Sequence, residues 1–227
     1  MLSDIFRNLD WSVLTDALIT VIPALICITI HELAHGYTAY RLGDNTAKDM
    51  GRLTLNPVRH IDVFGLLMLL VFKFGWAKPV PVNMRNFKNP RAGMAVTAIA
   101  GPLSNIILAM IVLFIYGLVF IPLGGNNPGE TGAVVMSIIE RIAFISVALA
   151  IFNLVPIPPL DGSKVVFSFL PDRIYNILMR YERYGIIVLI LILNTRIFSN
   201  TIGLLTVSIF NRFIAIARVA LDLVQHS

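Results

Sequence analysis

Ala17-Leu18-Ile19-Thr20-Val21-Ile22-Pro23-Ala24-Leu25-Ile26-Cys27-Ile28-Thr29-Ile30-His31-Glu32-Leu33-Ala34-His35 runs from a membrane-like apolar stretch straight into two imidazoles and a carboxylate. Ionisable groups are costly in an apolar helix and mark function there. His31 and His35 are four residues apart, one above the other on one helical face, so their ring nitrogens can reach a single ion. Glu32 lies beside them, where it can take a proton from a metal-activated water and pass it to a leaving amine. The pattern points to Zn2+, against the alternative of two core histidines hydrogen-bonded to other helices.

The rest of the composition agrees with a membrane setting. The 227 residues are 57% hydrophobic and only 14% charged, and the mean hydropathy is +0.81, well beyond soluble usage. The net charge of +5 does not signal nucleic acid, because the basic residues sit in short loops between apolar runs. One cysteine, Cys27, excludes an internal disulfide and reads as a packing residue. The amino end has Arg7 as its one basic residue before the first run and no small-residue cleavage site after it, so the first span is expected to be retained.

The expected architecture is an all-α, polytopic membrane bundle forming a single domain over 1–227. Spans are expected at about 11–40, 93–121 and 134–156. Glu140-Arg141 falls inside the third and suggests that its membrane-buried part begins only near Ile142. Val63–Phe72 is apolar but too short to cross, and 48–84 reads as a re-entrant or interfacial segment. Segments 185–194 and 201–221 form either a spanning hairpin or a surface-lying helix, since Arg212 and Arg218 interrupt the second.

Residues 41–92 hold nine basic side chains against three acidic ones, whereas 122–133 hold Glu130 and no Lys or Arg. The positive-inside rule therefore places 41–92 in the cytoplasm and the Gly124 turn outside. The first and third spans then run parallel, so His31, His35 and Asp161 all arrive at the cytoplasmic side. A catalytic zinc usually has three protein ligands, and Asp161 follows Pro156, Pro158 and Pro159, a rigid way to aim a short carboxylate. Its other reading is an N-cap for a helix starting at Gly162. Asn105, in Gly101-Pro102-Leu103-Ser104-Asn105, lies at a compatible depth. It could meet a substrate carbonyl or oxyanion, or serve as an interhelical amide, and Asn153 has the same two readings. His60 reads as a solvated loop residue and His226 as inert.

Taken together, these segments resemble the site-2 protease family of intramembrane zinc metalloproteases, particularly its compact bacterial members without an appended domain. The resemblance is carried by His31-Glu32-Leu33-Ala34-His35, by Asn153–Gly162 with its Pro-Pro-Leu-Asp-Gly core, and by Gly101–Asn105, with Gly51–Asp62 and Gly75–Asn83 in support. It implies a three-helix catalytic core, one zinc held by His31, His35 and Asp161, and Glu32 as general base for cleaving a transmembrane segment of a protein substrate. It also implies a small sheet between the first two spans, whose edge near Lys78-Pro79-Val80-Pro81-Val82 could take up substrate by strand addition. A metal transporter and a non-cleaving scaffold that binds transmembrane segments are the competing readings. The substrate and the oligomeric state are not legible.

Overall fold

The computed structural model describes residues 11–62, 64–65 and 78–226. The α-helices with both ends among them are α1 (Trp11–Arg41), α2 (Thr46–Asp49), α3 (Pro90–Phe120), α4 (Glu130–Asn153), α5 (Asp161–Phe167), α6 (Asp172–Tyr181), α7 (Gly185–Leu193) and α8 (Arg196–Gln225). Four of them, α1, α3, α4 and α8, are long and apolar enough to cross a membrane. At 1.5 Å per residue, α7 reaches only about 14 Å and cannot cross alone.

The relative sense of the helices follows from which residues meet. His31 lies against Asn105 and His35 against Thr97, so α1 and α3 are antiparallel. Arg141 donates to Thr20 Oγ1 at 3.3 Å, and Cys27 Sγ lies 3.1 Å from Ser146 Oγ, so α1 and α4 are parallel. Phe210 joins Ala109, Val112 and Leu113 in one core cluster, while Ala217 and Ala220 abut Gly117, so α8 runs parallel to α3.

The structure describes two stretches that the sequence leaves open. The third span is one continuous helix from Glu130, and Glu140 and Arg141 do not break it because both face outward, with Arg141 reaching the first span. The final helix does not lie off the bundle. It packs along α3 and α4 through Phe210, Ala217 and Ala220, and its Arg212 and Arg218 face outward.

No strand occurs among the described residues, so the expected small sheet is not seen there. Residues 48–62 are short helical turns and loop, with Ile61 in a single bridge and Lys78 N–H donating to His60 O at 2.9 Å. Most of the apolar run Val63–Phe72, and Gly75 after it, lie outside the described residues.

Local chemistry accounts for the main helix start. Asn89 caps α3 by accepting from Ala92 N–H, and Pro90 follows at the first helical position, where its missing N–H costs nothing. Small residues then set the spacing of the bundle. A Cβ on Gly117 would strike the Ala217 carbonyl oxygen and lie 2.8 Å from Ala220 Cβ. Gly117→Val should therefore destabilise the protein by about 1–3 kcal/mol through overpacking, read as a lower unfolding temperature in detergent. Bound zinc should stay at the wild-type level.

Candidate metal centre

α1 ends its apolar part by presenting His31 and His35 across α3. The crossing is possible because α3 has no side chain there: a Cβ on Gly101 would fall on the His35 ring and within 2.7 Å of His31 Cε1. His35 Nδ1–H donates to the Thr97 carbonyl at 2.7 Å, which leaves its Nε2 lone pair free. The rings meet edge to face, with centroids 4.5 Å apart at 86°.

Asp161 arrives from the loop after α4. It is the first residue of α5, with Leu160 at the cap position, and its carboxylate turns to the histidines rather than to the helix end. Gly162 behind it permits this close turn, since a Cβ there would strike the Leu154 carbonyl. Asp161 Oδ2 lies 3.0 Å from both His31 Nε2 and His35 Nε2, and the two nitrogens are 2.9 Å apart. Burial alone would raise the Asp161 pKa, but the hydrogen bonds and charges of His31 and His35 outweigh it and hold the carboxyl far below its usual range.

These three atoms fit a zinc ion. The centre of their triangle is about 1.7 Å from each corner, inside the 2.0–2.2 Å bond length, so one ion just off the plane touches all three. All three residues are buried, and among the described residues this is the one group of His, Cys, Asp and Glu that could hold a metal.

The centre opens on a cavity of about 520 Å³. Glu32 and Asn153 line it, as do Pro79, Val80 and Met84 on one side and Lys164, Met179 and Glu182 on the other. Glu32 Oε2 accepts from Val80 N–H at 2.8 Å. The flanking prolines have no N–H, and Arg52 donates to the Lys78 and Pro79 carbonyls at 2.7 and 3.4 Å, so strand addition here would compete for groups already in use. Asn153 donates to Leu149 O at 3.0 Å. Asn105 is fully buried, does not line the cavity, and places Nδ2 3.2 Å from His31 Nδ1 while its Oδ1 has no partner.

Several contributors were not legible. Asp44 is completely buried and accepts from Asn83 N–H at 2.6 Å and Asn86 Nδ2 at 2.7 Å, tying the segment over the cavity to the end of α1. Thr46 N–H also donates to Asp44, an Asx turn whose sequence signal is Asp44-Asn45-Thr46. His60 is not solvated as expected. It is 2% exposed, with Nε2 3.0 Å from Thr54 O, and props the same segment. Met179 and Glu182 come from α6 and the turn after it, in the weakly patterned carboxy-terminal quarter. That region is anchored by Arg91, whose guanidinium stacks 4.7 Å over Tyr175 and donates to Leu170 O.

The sequence family described as Peptidase family M50 matches residues 129–194. A Bacillus subtilis protein named "Putative zinc metalloprotease YwhC" is 40% identical over 181 residues, 77% of this chain and 80% of its own length. The chain belongs to Peptidase family M50. It is a multi-pass membrane zinc metalloprotease. Rip2 of Mycobacterium tuberculosis, which has the same descriptive name, is 28% identical over 172 residues, 74% of this chain and 63% of its own. The archaeal relative MJ0611 of Methanocaldococcus jannaschii is 35% identical over 106 residues, 46% of this chain and 49% of its own. No solved structure matches the chain.

Gly101→Ala should place a methyl group on the imidazoles and strip bound zinc, measured by elemental analysis of the purified protein; wild-type zinc content would contradict the crossing geometry. A second prediction concerns Asp44. Burial raises its pKa, but the hydrogen bonds from Thr46, Asn83 and Asn86 prevail and hold it below its ordinary value. A depressed folded pKa stabilises above the unfolded value near 4 and is lost as pH falls through the folded one. Wild type should thus exceed Asp44→Asn in stability by about 2 kcal/mol, the scale of hydrogen bonds to a charged group. The gap should be flat from pH 7 to about 5 and close below about 4, followed by thermal unfolding across pH.

Proposed function

We propose that this protease is a zinc-dependent intramembrane endopeptidase that hydrolyses peptide bonds in or near transmembrane segments of membrane-protein substrates. The observation that carries the reading is the placement of a two-histidine, one-carboxylate triangle, with Glu32 beside it, at one end of long apolar helices and facing a polar cavity. His31, His35 and Asp161 are the proposed ligands. Zinc, when bound, supplies Lewis acidity that makes a water nucleophilic at neutral pH and polarises a carbonyl.

Glu32 is the proposed general base. Its carboxylate lines the cavity, held at Oε2 by Val80 N–H with Oε1 left to take a proton from the attacking water and return it to the leaving amine. Asn153 lines the same cavity and is the amide proposed to meet the substrate carbonyl or its oxyanion. A substrate helix must unwind before its carbonyl reaches the triangle, because its backbone is otherwise closed in intrahelical hydrogen bonds. The cavity volume accommodates a short extended stretch, and Met84, Met94 and Met179 give it adaptable apolar walls.

The basic excess of residues 41–92 flanks the same end of the bundle and supports a site opening to the cytoplasm. A transporter would need further polar ligands along a path, and the described residues group no second set. A non-cleaving scaffold would not need Glu32 beside the triangle.

The test compares wild type with Glu32→Gln for bound zinc and for cleavage of a single-span substrate in proteoliposomes. Zinc should be retained while kcat/KM falls about 10²–10⁴-fold, the usual scale of general-base loss. Equal cleavage by the two proteins would remove Glu32 from the chemistry. A wild type that holds zinc but cuts no single-span substrate would favour the scaffold.

A further inference from the structure

We infer that Asn105 is a positioning residue for His31, with its amide turned so that Oδ1 accepts a hydrogen bond from His31 Nδ1–H when the metal is bound. The inference rests on His31 being a metal ligand and assigns a role to a side chain that never touches the ion or the cavity.

A neutral imidazole that gives its Nε2 lone pair to a metal must carry its proton on Nδ1, and Nδ1–H then needs an acceptor. His35 has one in the Thr97 carbonyl, a group that can only accept. His31 instead faces Asn105 Nδ2, a group that can only donate, at 3.2 Å. In that arrangement His31 Nδ1 accepts, and its proton sits on Nε2, 2.9 Å from His35 Nε2 and 3.0 Å from Asp161 Oδ2. The proton then points into the space the ion would fill. With the amide placed this way, His31 Nε2 has no lone pair to give to a metal.

The amide oxygen resolves the conflict. Oxygen and nitrogen of an Asn side chain are close to interchangeable in shape. Asn105 Oδ1 is fully buried with no partner, so a half-turn about the Cβ–Cγ bond breaks no bond that the oxygen makes. The turn exchanges one unpartnered atom for another, and the balance is therefore decided at His31. Once Nε2 is committed to the ion, the turned amide supplies the missing acceptor. The two histidines are then held alike, each through Nδ1–H, one by the α3 backbone and one by an α3 side chain eight residues further on. Because the amide is buried behind the imidazole, it is not available to a substrate carbonyl in this arrangement.

The test reads zinc rather than proteolysis, using the full-length protein in detergent and competition with a zinc chelator to obtain the dissociation constant. Asn105→Leu keeps the bulk but loses the acceptor, and zinc should bind about 10–100-fold more weakly, the usual effect of removing such a partner. Asn105→Asp is the same size and only accepts, so its zinc affinity should stay within about threefold of wild type. Wild-type affinity in Asn105→Leu would overturn the inference, as would an Asn105→Asp variant as weak as the leucine variant. If the leucine variant does not purify as a single species, Asn105→Asp decides alone: retained affinity supports the acceptor and lost affinity refutes it. A wild type that binds zinc but cleaves nothing would defeat the proteolytic reading and leave this result standing.

Discussion

Two imidazoles from one apolar helix lie across a glycine of another, and the rest of the molecule is arranged around that crossing. A Cβ at Gly101 would occupy the His35 ring, so α1 and α3 meet at this depth only because glycine is there. The crossing fixes α1 antiparallel to α3. Cys27 with Ser146, and Arg141 with Thr20, then align α4 parallel to α1. The end of α4 is thereby delivered to the end of α1, and the proline loop needs to carry Asp161 only a short way to close the triangle.

Buried polar groups in an apolar setting are costly unless paired, and the pairs here also build the site. Asp161 Oδ2 lies 3.0 Å from Nε2 of each histidine, while His35 is satisfied by a backbone carbonyl and Glu32 by the lone N–H between two prolines. That N–H is held in place from behind. Arg52 grips the carbonyls of Lys78 and Pro79, and Asp44 grips Asn83 and Asn86. Gly36, one residue beyond His35, lets the same segment settle on α1, since a Cβ there would lie 2.7 Å from Leu53 Cδ2 and 2.9 Å from Val80 Cγ1. The wall over the cavity is thus clamped to the helix that carries the histidines.

Much of this was legible because it is periodic or topological. The spacing of His31 and His35 fixes a shared face, and the parity of spans brings Asp161 to the same end. What was not legible depends on direction and burial, which sequence does not encode locally. Glu140-Arg141 leaves open on sequence where the buried part of the third span begins, and the structure adds that both side chains face outward from one continuous helix. His60 reads as a solvated loop residue, yet it is buried with Nε2 against the Thr54 carbonyl. The amides at 105 and 153 looked alike, but the structure puts Asn153 on the cavity wall and Asn105 behind an imidazole.

The central claim is a zinc ion held by two imidazoles and one carboxylate with a position left open, and X-ray absorption at the zinc edge of the purified full-length protein tests it most directly. The account predicts a first shell of about four nitrogen or oxygen atoms near 2.0–2.1 Å, two of them with imidazole scattering. No sulfur should be present, because Cys27 is packed against Ser146 and Ile142. A shell containing sulfur, or one without paired imidazoles, would contradict it.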